Sequence, residues 1–128
     1  MILDKNFFAA QKFSEAELSK YKRSAKRDLD IAGKSQDPEV LFHFSFMALI
    51  KIGIYYLAKA GYRLKSQPGH HQKVIEYLSQ SLGSEEILII GDKMRKERNL
   101  DFYGVDAVCS PEEARQYFEF IHGIFRKI

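Results

Sequence analysis

The residues best suited to chemistry lie near the end of the chain, in the segment 93–104. On a helix, Arg95, Arg98 and Asp101 follow one another at three-residue steps and share a face, so Asp101 can orient the guanidinium of Arg98. Two arginines together predict a phosphate site, because the planar guanidinium offers several donors and stays charged. The alternative is a solvated helix end held by ion pairs within the helix. Two neutral side chains of the segment can add hydrogen bonds to the phosphate: Asn99 and Tyr103.

A second candidate is the segment 66–71, Ser-Gln-Pro-Gly-His-His, which opens a short predicted helix. Backbone amides at a helix N-terminus suit an anion, and a histidine beside them can bind the anion or carry a proton. Because His70 and His71 are adjacent, they point about 100° apart on a helix and lack the spacing of a metal-binding pair. The alternative is a helix-capping or packing role. We expect His43 to be a hydrogen-bonded core residue and His122 to be structural.

The composition fits one soluble globular domain, with 128 residues, 45% of them apolar and 29% charged. A net charge of +3 is too small for a polyelectrolyte-binding tail, so contact with a nucleic acid requires a local patch. The basic face of the first helix, at 20–27, is interrupted by Asp28 and Asp30, and we expect it to be solvated. The single cysteine, Cys109, and the lack of a secretory signal predict the cytoplasm. We expect no metal and no cofactor.

Helix start and stop signals divide the chain into five predicted helices. Ser14 and Ser110 each open a capping box, and Asp37 precedes a proline at a first helical position. The apolar run at 87–90 resembles a strand, but it is only four residues long and continues into a helix-forming stretch, which favours a helix. No alternating strand pattern is found. The predicted helices have these approximate bounds: 14–33, 37–60, 70–82, from 84 onward and from 110 onward.

The second predicted helix is apolar nearly all round and is therefore expected at the centre of the fold. A lysine near the middle of a bilayer costs about 2.5–3.5 kcal/mol, so Lys51 and Lys59 argue against a membrane span. We predict an all-α fold, a single-domain and mostly antiparallel bundle of about five helices that occupies residues 1–128. Residues 1–13 are expected to be a loosely ordered N-terminal segment.

The order of these segments resembles the HEPN family, the higher eukaryotes and prokaryotes nucleotide-binding domain. The resemblance extends from about residue 14 over nearly the whole remaining chain. It is carried by the capped first helix, the end of the second helix at 57–63, Ser66 with Gly-His-His at 69–71, the arginine segment 95–103 and the capped start of the last helix at 110–114.

The resemblance implies a bundle that often dimerises, with two copies of the arginine motif facing each other across a cleft. Members include metal-independent ribonucleases, many of them toxins, and small proteins encoded beside a minimal nucleotidyltransferase. In the nuclease branch the motif is an arginine, often followed by a polar residue such as asparagine, and then a histidine, with four to six residues between the arginine and the histidine. Arg98 and Asn99 match its first two positions, whereas Tyr103 stands at the histidine position. A tyrosine, with a pKa of about 10, exchanges the ribose 2′-hydroxyl proton poorly.

Some branches carry an arginine followed by an acid and a tyrosine, and they resemble binding proteins more than nucleases. Arg98, Asp101 and Tyr103 are similar to that arrangement, with Phe102 inserted. The leading hypothesis is therefore a dimer that binds a nucleotide or RNA with weak or no catalysis, paired with a nucleotidyltransferase in a toxin–antitoxin type system. The residues expected to bind the nucleotide phosphate are Arg95, Arg98, Asn99, Asp101, His70 and His71.

Two other hypotheses remain open. In the first, the protein is a metal-independent ribonuclease that uses Arg98 with His70 or His71, or with Tyr103, and this requires the histidines to reach the Arg98 cleft. In the second, it is a purely structural dimeric interaction module, in which Arg98 and Asp101 only fix a helix end. Catalytic roles, where catalysis exists, are assigned to Arg98 and Tyr103.

Overall fold

The computed structural model describes residues 3–103 and 109–128, with side chains for all of them except residues 100–103. Within these ranges the chain forms five helices and one small antiparallel sheet, which confirms the predicted all-α helical bundle. The elements in chain order are β1 Phe8–Ala10, α1 Glu15–Lys34, α2 Pro38–Lys59, β2 Tyr62–Leu64, α3 His70–Leu82, α4 Glu85–Tyr103 and α5 Pro111–Phe125.

The helix ends follow from local sequence. The Ser14 hydroxyl accepts the amide proton of Glu17 at 3.1 Å, and the Glu17 carboxylate accepts that of Ser14 at 3.0 Å, a complete capping box. Ser110 opens α5 in the same way. Asp37 caps α2, and a proline follows it at the first helical position. These side chains satisfy amides that have no partner within the helix, and they confirm the predicted starts.

Helix α2 is the central element, as its composition predicted. It packs against all four other helices and against β2, and its largest fully buried side chains include Phe46, Leu49 and Ile52. By length and hydropathy α2 is the one described helix that could cross a membrane, but 56% of its most apolar window is buried inside the protein. That burial fits the core helix of a soluble bundle.

The N-terminal segment, expected to be loosely ordered, carries strand β1. Phe8 pairs with Leu64 in β2, and its ring lies 6.1 Å from that of Tyr77. Phe8, Tyr77 and the fully buried Leu57 form a second, smaller apolar cluster beside the main core. The sequence shows no alternation here because each strand has only three residues and the pairing is non-local.

Two charged or polar positions differ from expectation. The prediction of a core histidine at position 43 is wrong: His43 is exposed, because Phe42 and Phe46 take the inward face of α2. Asp28 does not interrupt the basic face of α1, because it points inward, is 5% exposed and pairs with Lys51 at 2.7 Å. The basic residues at 20–27 are exposed, as expected.

Two glycines let α3 approach its neighbours closely. A Cβ at Gly53 of α2 would lie 2.9 Å from Val74 Cγ2 and 3.3 Å from the Val74 carbonyl oxygen. A Cβ at Gly91 of α4 would lie 2.7 Å from Ile75 Cγ2. Both contacts are shorter than ordinary packing allows, so α3 is held tightly against α2 and α4. This packing fixes the start of α3 relative to α4.

Replacing Gly53 by alanine is expected to destabilise the protein by about 1–2 kcal/mol, because overpacking outweighs the gain in helix propensity. Gly123→Ala is the matched control: its nearest contact would be Arg126 Nη2 at 3.9 Å, so propensity alone acts and the free energy of unfolding rises by about 0.5–1 kcal/mol. Urea unfolding measures both. A higher free energy of unfolding in Gly53→Ala would contradict the close contact between α2 and α3 at this position.

Candidate functional site: a cleft between α3 and α4

The two segments singled out in the sequence line one open cleft of about 470 Å³. One wall is the turn before α3 and the first residues of that helix, and the other wall is one face of α4. Packing of α3 against α4 brings the two together, although they lie almost thirty positions apart in the chain. The lining residues are Ser66, Gln67, Pro68, Gly69, His70, His71, Gln72, Arg95, Arg98 and Asn99.

The buried ring of Phe46 in α2 contacts one side chain from each wall. The guanidinium carbon of Arg98 lies 5.5 Å from the centre of this ring, within cation–π distance. The His71 ring meets the same phenyl ring edge-on, with centroids 5.8 Å apart. Phe46 is fully buried. A rigid aromatic ring therefore sets the positions of one arginine and one histidine of the cleft.

The two arginines differ in how far their charge is already neutralised. Arg95 donates from Nε and Nη2 to Asp92 at 3.1 and 2.8 Å, and this hydrogen bonding holds the pKa of Asp92 below its usual value. Among the described residues, Arg98 has no carboxylate partner. An ion pair within the helix is thus present at Arg95, whereas Arg98 has none with the described carboxylates.

The N-terminus of α3 lies at the cleft, and the first of its amides, that of His70, donates to the carbonyl oxygen of Gln67 at 3.1 Å. Gly69 is the N-cap residue, with a φ of 84°, and no side chain caps the helix. The first turn contains no acidic residue. Amides at a helix start that lack a side-chain acceptor suit an anion, and the helix dipole favours negative charge at this end.

The hydrogen bonding of His70 assigns its tautomer. Its Nδ1 lies 2.6 Å from the carbonyl oxygen of Gln67, which can only accept, so Nδ1 carries the proton. The His70 and His71 rings lie 4.3 Å apart, centre to centre. Two imidazole rings thus lie side by side in the α3 wall of the cleft, which faces the arginines of α4.

His71 is neutral at physiological pH. Partial burial, together with the nearby His70, Arg98 and Arg95, lowers the pKa of His71 from 6.5 to about 4. An unfolded chain, with the ordinary pKa, therefore binds more protons between these values. The stability that neutral His71 contributes is complete above pH 6.5 and is lost as the pH falls through about 4. An anion bound beside the ring would offset the arginine charges and raise its pKa.

Replacing Arg98 by alanine is expected to raise the pKa of His71, because the guanidinium charge disfavours the imidazolium. A proton NMR titration of the His71 ring measures the effect, with a midpoint near 4 in the wild type and a higher midpoint in the variant. Arg115→Ala, which removes an arginine from another aromatic ring outside the cleft, is expected to leave the midpoint unchanged. If the midpoint in Arg98→Ala were unchanged, the charge of Arg98 would not act on the His71 ring, and the arrangement described here would be contradicted.

The structure brings together five residues named from the sequence, Arg95, Arg98, Asn99, His70 and His71. The side chains of Asp101 and Tyr103 lie outside the described residues, and so does any pairing of Asp101 with Arg98. Gln72 and Phe46 were missed. Gln72 could have been found as the next residue of the helix start, whereas nothing in the sequence relates position 46 to 71 and 98.

Neither a group of metal ligands among the described residues nor a similarity to a known protein assigns a function to this site. The described part of the chain contains no group of three or more His, Cys, Asp or Glu side chains placed to hold a metal ion. No family model, no curated protein and no solved structure matches the chain. The candidate function therefore rests on the cleft and its residues.

Proposed function

We propose that the cleft binds the phosphate of a nucleotide or of an RNA strand, in a HEPN-like protein of the cytoplasm. The observation that carries the proposal is the meeting of Arg98, without a described carboxylate partner, and the uncapped start of α3 in one cleft. The guanidinium supplies a fixed positive charge with a planar set of donors, and the α3 amides supply neutral donors. Asn99 and His70 also line the cleft and can add hydrogen bonds.

The test is a binding titration with a short single-stranded RNA and with a nucleoside monophosphate, on the wild type and on Arg98→Ala. The proposal expects binding that Arg98→Ala weakens and Arg115→Ala preserves. Equal binding by Arg98→Ala would reject the cleft as the phosphate site. If Arg98→Ala lowered only the thermal stability, the structural-module hypothesis would be favoured.

A second copy of the chain and a nucleotidyltransferase are the protein partners that the HEPN resemblance implies. The surface of α4 offers two adjacent exposed apolar side chains for such contacts, Leu88 (38% exposed) and Ile89 (67%), and Leu88 lies two turns before Arg95 on the same face. A second chain seated there would approach the cleft. Light scattering tests this part of the proposal, with a dimer at about twice the chain mass of 14.9 kDa.

A metal-independent ribonuclease is the second candidate, and one observation favours it: both His70 and His71 line the cleft that contains Arg98. In such cleavage the ribose 2′-oxygen attacks the adjacent phosphorus and displaces the 5′-oxygen of the next nucleotide. Neutral His71 can take the 2′-hydroxyl proton, and the departing oxygen gains a proton from the other histidine or from water. Arg98 would stabilise the charge that develops on the phosphorus-bound oxygens.

If this candidate is correct, the purified protein cleaves RNA in EDTA, and His71→Ala lowers the rate by about 10²–10⁴-fold because a general base is lost. His122→Ala is the matched control, since His122 stacks on Phe118 at 5.4 Å, away from the cleft. Gel analysis of a mixed RNA pool gives the rates. No cleavage by folded wild-type protein would reject the ribonuclease and leave phosphate binding in place.

A further inference from the structure

A second cavity, of about 460 Å³, adjoins the phosphate cleft. Ser66, His70 and His71 line both, so the two spaces share one wall. The second cavity extends from this wall between α1, α2 and β2. Its volume falls in the range of about 300–1,000 Å³ that is typical of small-molecule sites.

Apolar and aromatic side chains dominate the walls of this cavity. Phe13 and Tyr21 meet edge to face at one side, with ring centroids 5.7 Å apart and planes at 79°. Both rings are only partly buried, so they keep surface for a ligand. The apolar residues that complete the walls are Met47, Ile50, Ile54, Ala58, Tyr62 and Leu64.

Two cations line this cavity, Lys51 and the exposed Arg63. Lys51 lies in its wall, but the Nζ of Lys51 pairs at 2.7 Å with Asp28, a buried carboxylate. The part of the cavity at Lys51 therefore carries little net charge. An uncharged flat ring fits this part of the cavity, because it can stack on aromatic side chains and use a few polar groups at its edge.

We propose that this cavity takes the base of the nucleotide whose phosphate occupies the cleft. This inference rests on the proposed function, because it uses the cleft as the phosphate site. The shared wall of Ser66, His70 and His71 puts a charged space and an apolar aromatic space side by side, as the phosphate and the base are within one nucleotide. The nucleotide is either free or one unit of an RNA strand.

The experiment compares ribose 5-phosphate with the four ribonucleoside 5′-monophosphates by calorimetry on the full chain. We expect the best nucleotide to bind at least about tenfold more tightly than ribose 5-phosphate, which is the usual scale of base stacking on an aromatic residue. Tyr21→Ala should remove most of this advantage and leave ribose 5-phosphate binding unchanged. If Tyr21→Ala does not fold, Phe13→Ala is the variant to use in its place, with the same expected result.

Tyr55→Ala is the matched control, because Tyr55 meets Tyr56 in nearly the same geometry, at 5.6 Å and 83°, and does not line this cavity. It should leave the advantage of the nucleotide intact. Tighter binding of a trinucleotide than of any monophosphate would identify RNA as the source of the base, and equal or weaker binding would identify a free nucleotide.

Two failures are distinguishable. If ribose 5-phosphate binds through Arg98 as tightly as every nucleotide, or if Tyr21→Ala keeps the full advantage, the base site is overturned and the phosphate site stands. If neither ribose 5-phosphate nor any nucleotide or trinucleotide binds, both are overturned.

Discussion

Arg98→Ala is expected to weaken the binding of a short single-stranded RNA by about 10- to 100-fold, because hydrogen bonds to charged groups contribute about 1.5–3 kcal/mol. Among the described residues, the guanidinium of Arg98 has no carboxylate partner, and the proposal assigns its charge to a phosphate oxygen. Arg95 is already bonded to Asp92, and Arg95→Ala should therefore have the smaller effect. Fluorescence anisotropy at low salt measures both affinities.

The salt dependence separates a lost phosphate contact from a general disturbance. Each phosphate that a protein neutralises on a single strand contributes about 0.7 to the slope of log affinity against log salt, so Arg98→Ala should lower the slope by about that amount. Arg115→Ala is the matched control, because its guanidinium lies 5.4 Å from the Phe118 ring, much as Arg98 lies on Phe46. Equal losses in both variants would argue for a diffuse charge effect.

Phe46→Ala is expected to destabilise the protein by about 3–5 kcal/mol, the usual cost of truncating a buried phenylalanine. The side chain is fully buried in α2 and packs against Arg98 and His71, which line the cleft. The loss therefore includes both the cavity left in the core and the support of the site. Urea unfolding measures the free energy, and thermal melting gives an independent check.

Phe46→Leu separates the two roles of this ring. Leucine keeps most of the buried apolar volume, so stability should fall less than in Phe46→Ala, whereas the aromatic face under Arg98 is lost and RNA affinity should still decrease. Phe44→Ala is the control for α2, because Phe44 is only partly buried and packs at the edge of the core. A Phe46→Ala protein as stable as Phe44→Ala would contradict the central position of Phe46.

Much of the fold is local in origin, which is why the sequence predicts it. The capping boxes at Ser14 and Ser110 are contacts over three residues, so the first and last helices can be located from a few letters of sequence. The helix over 87–90 follows from the helix-forming residues that continue it. The strands could not be predicted, because Phe8 pairs with Leu64, a partner 56 positions away, and neither strand is long enough to show a period.

The candidate site likewise has local features that the sequence predicts and non-local features that it does not. Arg95 and Arg98 share a face because of helical spacing, and the helix start at His70 follows from the glycine before it. The meeting of these two segments depends instead on how closely α3 packs against α4 at Gly91, which no local pattern encodes. The inward turn of Asp28 and the outward position of His43 likewise depend on which neighbours α1 and α2 meet.

The phosphate site is tested most directly by amide NMR spectra of the isotope-labelled protein during titration with inorganic phosphate and then with a short RNA. The cleft between α3 and α4 predicts that the largest shifts occur at Gly69, His70 and His71 and at the side-chain Nε–H of Arg98. The exposed basic face of α1, which includes Arg23, Lys26 and Arg27, is the competing surface. Shifts confined to that face, or no shifts with either ligand, would contradict the cleft as the phosphate site.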